Sequence, residues 1–434
     1  MSSRYREFFV FAEDYGTLDY KFGPASLGNT PDMFENRGYL PDLGSVLARI
    51  HGFEGPSPIV VGPEVSSYLE ARGDLAERLV YPMRDGNIEE DDERAWAVVK
   101  EVTRFGLLRY APLKSEEFEG FYCVAALVAG APRYMYERLF TIHSELNEEV
   151  EPRGKLVKAA TIIPQPLAVA IAQKAVTCTV VESGHGNTQV TPISRAVIQH
   201  ALLPLNRGGN DANLITAEIL RDAGYGEYVK ERRLVRMFKE AVGLIPRDLD
   251  AAVEEAKRDP ERFRAVYRVP NTRIVIDLAE KSWQRFLIGE YLFNPGHEVF
   301  QSYMKRGFLK PADTHLGREV ILGTTDMADA IARSVEKCSI EVQPLLFQNI
   351  LLSGGNFAWT VPHGLEDIAV DAAAKVAHML GLKGVSNVSV RLVRNPQYSV
   401  WQGCIVYGLY VPEGFEWDWA RLEGWYKPVA TRGL

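Results

Sequence analysis

Two periods of apolar residues run through the chain. Short continuous runs predict buried strands: Phe8–Ala12, Val176–Glu182 and Asn349–Leu352. Longer stretches carry apolar residues three and four apart. Asp91–Tyr110 is one, with Trp96, Val99, Val102, Leu107 and Leu108 on its apolar side. Ala212–Ala223 and Glu231–Val242 are two more, the second amphipathic through Leu234, Val235, Phe238 and Val242. Strands alternating with helices predict an α/β architecture. Each of the three strand runs stops at a turn containing glycine. These turns are Asp14-Tyr15-Gly16-Thr17, Ser183-Gly184-His185-Gly186-Asn187-Thr188 and Ser353-Gly354-Gly355. Without a Cβ, such a turn lets backbone N–H groups approach a ligand.

Length and composition narrow the classes. The 434 residues suit two or three domains, and 46% hydrophobic with 24% charged residues is globular composition. The net charge of −8 argues against nucleic acid as the main partner, because phosphate backbones call for a basic face. Four separated cysteines, with no CxxC pair, exclude a zinc ribbon and predict a reduced, cytoplasmic protein. The longest apolar stretch, around Tyr122–Ala131, is about half of a membrane span. The residues after Met1 do not form a signal-peptide core, so no membrane segment is expected. The acidic run Glu89–Glu93 reads either as a cation site or, preferably, as carboxylates at a helix N-terminus.

Common catalytic motifs are absent, among them a Walker A loop, HExxH and GxSxG. Two acid-x-Gly turns remain, Asp14-x-Gly16-Thr17 and Glu182-x-Gly184-His185-Gly186. As a pair after two apolar strands they suggest similar halves gripping one polyphosphate. The carboxylates would then hold Mg²⁺ through water.

Longer blocks carry a resemblance. They include Val60-Val61-Gly62-x-Glu64, Tyr81-Pro82-x-x-x-Gly86 with Asp92 and Trp96, and Glu231-Arg232-x-Leu234-Val235-Arg236-x-x-Lys239-Glu240. Arg285-Phe286-x-x-x-Glu290-x-Leu292-Phe293-x-Pro295, Cys338-x-Ile340 through Asn349 to Gly355, and Tyr398-Ser399-Val400-Trp401-x-Gly403 complete the set. In these blocks, spread over about residues 8–410, the sequence resembles the actins. Pro164-Gln165-Pro166 and the Glu182–Asn187 turn resemble the crenactins, the archaeal branch.

The resemblance implies an α/β actin fold, the superfold shared with sugar kinases and heat-shock chaperones. Two RNase H-like domains would enclose a nucleotide cleft, each with an inserted subdomain. Domain I would be 1–172 plus 398–434, with subdomain 2 at about 38–81. Domain II would be 173–397, with subdomain 4 at about 209–296. It also implies roles. Asp14, Gly16, Thr17, Leu18 and Lys21 would form the first phosphate loop, and Glu182, Gly184, His185, Gly186 and Asn187 the second. Asp14 and Glu182 would hold Mg²⁺ through water, and Gln165 would position the attacking water. Arg236, Lys239, Glu240, Gly208, Gly354, Gly355, Asn356, Trp359 and Gln397 would surround the rest of ATP or ADP. Each has a plainer alternative: Lys21 a solvated strand lysine, Gln165 a backbone-satisfied amide, Trp359 a core residue, and the 236–240 set a solvated helix face.

Four positions depart from the eukaryotic pattern. Glu182 and His185 stand where aspartates are found, Gln189 where a histidine helps orient the water, and Gln397 where a lysine contacts adenine. They bear on hydrolysis and metal geometry more than on nucleotide binding. The remaining histidines are expected to be scattered and structural. The function implied is a cytoskeletal ATPase that forms a homopolymer filament, with accessory cytoskeletal proteins as further partners. Its contacts would lie at Leu40–Ser57 and at the plug region Gly296–Thr325. The rival is a non-filamentous, nucleotide-bound actin-related scaffold that hydrolyses little.

Overall fold

A computed structural model describes residues 2–41, 59–66, 78–150, 154–308 and 310–428. Most of the expected subdomain 2, and most of the Leu40–Ser57 contact segment, lie outside the described residues. The chain divides into two compact units, Met1–Ala175 with Tyr398–Leu434, and Val176–Gln397.

Unit 1 opens with a helix, α1 (Ser2–Phe9), followed by β1 (Val10–Tyr15). The expected strand at Phe8–Ala12 is therefore corrected: Phe8 and Phe9 close a helix, and Phe8 is 61% exposed. A short apolar run does not distinguish the two periods. What selects helix is the i,i+4 pair Tyr5–Phe9, whose ring centroids lie 4.5 Å apart.

Strand β1 then pairs antiparallel with β2 (Asp19–Pro24), and β2 with β3 (Asp32–Glu35). Helix α2 (Glu93–Tyr110) leads to β4 (Phe121–Leu127). Helix α3 (Arg133–Val150) leads to β5 (Val157–Pro164), and α4 (Gln165–Ala172) follows. The sheet order is β3-β2-β1-β4-β5, with β1–β4 and β4–β5 parallel. The acidic run resolves as a cap, since Asp92 Oδ1 accepts from Ala95 N at 2.9 Å and Glu93 pairs with Arg138.

Unit 2 repeats the plan. β6 (Thr177–Ser183) pairs antiparallel with β7 (Thr188–Ser194), which also pairs with β8 (Ala196–Val197) and β9 (Leu203–Leu205). Helices α5 (Gly209–Asp222), α6 (Arg232–Val242) and α7 (Arg285–Phe293) follow. A hairpin of β10 (Thr314–Leu316) and β11 (Glu319–Ile321) comes next. β12 (Ile350–Ser353) is parallel to β6, and β13 (Val390–Leu392) is parallel to β12, with α8 (Ala372–Leu382) between them. A buried ion pair joins α8 to α7, with Lys375 Nζ 2.7 Å from Glu290 Oε2.

The chain then returns to unit 1 as α9 (Ser399–Tyr410), which packs on β1, β4 and α4. Contact is close enough that a Cβ on Gly403 would meet the Ala168 carbonyl oxygen at 1.8 Å. All four cysteines are buried free thiols. No helix among the described residues is long and apolar enough to cross a membrane.

Candidate functional site

The β1–β2 and β6–β7 hairpins have the same register. Asp14 lies opposite Lys21 and Tyr15 opposite Tyr20; Glu182 lies opposite Gln189 and Ser183 opposite Thr188. Each therefore closes with a four-residue turn, and each turn carries the same bond: Gly16 N to Asp19 O at 3.1 Å, and Gly184 N to Asn187 O at 2.9 Å. In both, an acid sits on the strand two residues before the glycine. The duplicated acid-x-Gly spacing is a duplicated structure.

In unit 1, the turn gathers the residues that the sequence singles out. Asp14 is 3% exposed. Its Oδ2 accepts from Lys21 Nζ at 3.0 Å and its Oδ1 from Gln165 Nε2 at 3.0 Å. Lys21 is thus an ion-paired strand lysine rather than a solvated one. Gln165 is buried as the first residue of α4, and its amide also reaches Tyr15 O at 3.4 Å. The turn is braced from behind. Asn36 Nδ2 donates to Gly16 O at 2.9 Å, Asn36 N donates to Leu18 O at 2.6 Å, and Gly86 N donates to Thr17 Oγ1 at 3.0 Å.

Alternation along β1 separates two carboxylates with different tasks. Asp14 shares its strand face with Val10, which contacts α9 at Gly408. Glu13 points the opposite way, fully buried. Its Oε1 accepts from the Tyr15 and Tyr20 hydroxyls at 2.9 and 2.8 Å, and its Oε2 meets His143 Nε2 at 2.9 Å. Tyr15 also meets Thr103 Oγ1 at 2.6 Å. The expectation of scattered histidines is corrected here: ligand atoms of Glu13, Cys123 and His143 lie within 4.8 Å of one another. Both oxygens of Glu13 already accept hydrogen bonds, so the cluster reads as a network bracing the first hairpin, with His143 Nδ1 buried and unbonded at its far side. Sequence reading missed it because the partners are spread over 130 residues.

In unit 2, three segments converge on the second turn: residues 354–356, the start of α5 and the α6 helix. Asn356 Nδ2 donates to Gly184 O at 2.5 Å and to Ser183 Oγ at 3.0 Å. Gly354 holds φ at 101°, and a Cβ there would lie 2.0 Å from Ser183 O, so only glycine fits. The first amides of α5 bond back to the turn, Gly209 N to Gly184 O at 3.0 Å and Asn210 N to His185 O at 2.8 Å. Gly208 packs directly on these carbonyls. Gly209, absent from the sequence-derived set, faces the site more directly: its Cβ would come within 3.4 Å of Asn356 Oδ1, His185 Nδ1 and Lys239 Nζ.

The α6 helix delivers the charge. Lys239 is 5% exposed and donates to Gly209 O at 3.2 Å. Among the described residues, no carboxylate lies within ion-pair distance of it. Burial pushes its ammonium down to about 8, Glu240 opposing and Arg236 adding to the shift. His185 is pushed down to about 4, first by burial and then by Lys239, Arg236 and Arg232. It is therefore a neutral imidazole at pH 7, and the stability of that form is lost as pH falls from 6.5 through about 4. Arg232, Arg236 and Lys239 recur at i, i+4 and i+7, and this spacing is the signal by which Arg232 was findable. Glu240 lies outward, 3.8 Å from Arg236 Nε. Trp359 is half-buried against the core and near Gly243, as a core tryptophan would be. Gly355 and Gln397 are exposed; Gln397 follows Pro396, whose carbonyl accepts from Gly354 N at 2.9 Å. Gly186 is buried within the turn, and Asn187 closes it.

Residues 155–409, more than half of the chain, match the family profile described as Actin. The chain belongs to the actin family. This actin-family protein is also 26% identical over 341 residues to Actin-related protein 3 of Saccharomyces cerevisiae, across 75% of its own length and 67% of that relative's. Its paired α/β sheets, each built on an acid-bearing hairpin, are those of the actin fold.

As for a metal, each unit by itself offers one candidate carboxylate of a chemistry that suits Mg²⁺. Asp14 and Glu182 are oxygen donors at equivalent strand ends beside glycine turns, and Mg²⁺ takes one or two carboxylates and keeps much of its water.

Proposed function

We propose that this actin-family protein binds and slowly hydrolyses ATP with Mg²⁺ and assembles head-to-tail into a cytoplasmic filament, as an archaeal actin of the crenactin branch. The observation that carries the nucleotide reading is Lys239, a buried ammonium in a cluster of basic residues at a glycine turn, without a carboxylate partner among the described residues. A buried cation of this kind is stabilised by an anion, and a phosphate ester supplies one. Each unit carries its own glycine hairpin, with backbone amides and a strand-end carboxylate. Mg²⁺, when bound, would neutralise phosphate charge.

Within this reading Lys21 balances Asp14 until phosphate competes for its ammonium, and Gln165 holds the attacking water. Phosphoryl transfer asks chiefly for positioning and charge stabilisation, which a neutral amide provides. Gln165→Ala is expected to slow phosphate release at least severalfold with ATP affinity nearly unchanged. A large loss of affinity would reassign Gln165 to binding.

Filament assembly is the expected result of a heterologous contact that does not close into a ring. The second reading, a nucleotide-bound scaffold, draws on the match to an actin-related protein and on the neutral His185 and Gln189 at the second hairpin. Sedimentation of the purified protein with Mg-ATP, over a range of salt and temperature, separates the two. Pelleting that depends on nucleotide supports the filament; protein that binds ATP and stays in the supernatant throughout supports the scaffold.

A further inference from the structure

Arg207 is among the largest fully buried side chains of the protein. It precedes the glycine that packs on the second turn, and Nε and Nη1 of its guanidinium are bonded to backbone carbonyls, while Nη2 is buried without a partner among the described residues. Nε donates to Leu292 O at 2.9 Å; Nη1 donates to Gly323 O at 3.1 Å and Thr325 O at 2.6 Å. Leu292 belongs to α7, whereas Gly323 and Thr325 follow the β10–β11 hairpin within the plug region. Asn206, one residue earlier, bridges Ala312 and donates to Asp313 O at 3.3 Å. The Asp313 carboxylate in turn accepts from Gly323 N at 2.8 Å.

On its other side Arg207 ends a directional chain of hydrogen bonds. Asn356 donates to Ser183 Oγ at 3.0 Å, Ser183 Oγ and Thr188 Oγ1 are 2.8 Å apart, and Thr188 Oγ1 donates to Arg207 O at 2.9 Å. Each hydroxyl accepts once and donates once. Residues 206–208 are therefore bonded to the second turn on one side and to 312–325 on the other.

We propose that Arg207 is a positioning residue that carries the nucleotide state of the second turn to segment 312–325. A guanidinium presents its donors in a rigid planar fork, so it transmits a shift of its backbone instead of absorbing it. Losing one of those bonds would strand a buried charge, which opposes independent movement at either end. The inference rests on the nucleotide reading above and adds a route from the bound phosphate to a surface segment of the same unit.

Hydrogen exchange of the full-length protein, with and without Mg-ATP, tests it. In the wild type, nucleotide is expected to slow exchange both at 183–189 and at 312–325. In Arg207→Met the effect at 183–189 persists while that at 312–325 shrinks severalfold, with Arg207→Lys intermediate. Should the Met variant fail to fold, Asp313→Ala loosens the far side of the linkage without touching the guanidinium, and the same loss at 312–325 is expected. Equal protection of 312–325 in all variants overturns the proposal. So does a wild type protected at 183–189 alone. Protection of neither segment removes the nucleotide reading of the second turn, and the coupling with it.

Discussion

Lys375→Met is expected to destabilise unit 2 by about 3–5 kcal/mol, the range for stripping one partner from a buried ion pair. Lys375 and Glu290 are 5% and 3% exposed in their side chains, and the ammonium also donates to the Arg247 carbonyl at 3.3 Å. Without it, the Glu290 carboxylate is left in the core between α7 and α8. Burial already raises Glu290 above the usual carboxylate range, Lys375 opposing. A raised folded value means that the folded state binds the proton more readily than the unfolded one. Stability from that group is thus lost as pH rises above the ordinary value of 4.5. The deficit of the variant is accordingly smaller at pH 5 than at pH 7. Urea unfolding followed by hydrogen exchange in α7 and α8 measures it. The double variant Lys375→Met with Glu290→Leu should recover most of the loss, because an apolar pair replaces the ion pair at little net cost. An undiminished defect in the double variant would place the damage in packing instead of in the stranded charge.

Lys239→Met carries the largest expected effect on ligand binding. A charge-assisted hydrogen bond contributes about 1.5–3 kcal/mol, so ATP affinity should fall about 10- to 100-fold. The perturbed ammonium supplies a second readout. An anion nearby favours its charged form, so binding raises a value that burial had pushed down to about 8. At pH 8 the free protein carries this proton about half of the time. Nucleotide binding should then take up as much as about half a proton, visible by calorimetry in buffers of different ionisation enthalpy. The variant should lose that uptake. If Lys239→Met binds ATP as the wild type does, the lysine merely braces the Gly209 turn.

These two residues also mark how far the sequence reaches. Lys239 is legible, because the α6 stripe and the blocks that resemble actin place it on a named helix. The two hairpins are legible for the same reason: four-residue turns are local, and an acid two positions before a glycine is visible in one dimension. Lys375 and Glu290 are 85 residues apart and pair only through the packing of two helices. Glu13, beside the conspicuous Asp14, is not legible because its partners lie on its own strand, across the hairpin and on α3. Strand alternation alone could have shown that neighbouring acids face opposite ways. Gly209 was overshadowed by Gly208, since two adjacent glycines cannot be told apart until the helix start is fixed. At Phe8 and Phe9, composition favours a strand, and the i,i+4 contact of the Tyr5 and Phe9 rings accompanies a helix.

The return of the chain at Tyr398 has a consequence for synthesis. Unit 2 is a continuous stretch of about 220 residues and can assemble as it leaves the ribosome. Unit 1 has all five strands of its sheet by Pro164, yet one side of β1 and β4 stays uncovered until α9 emerges. At roughly 5–20 residues per second, that face waits for about 12–50 s. The portion translated first is thus completed last, and for that interval the nascent sheet keeps an apolar face exposed.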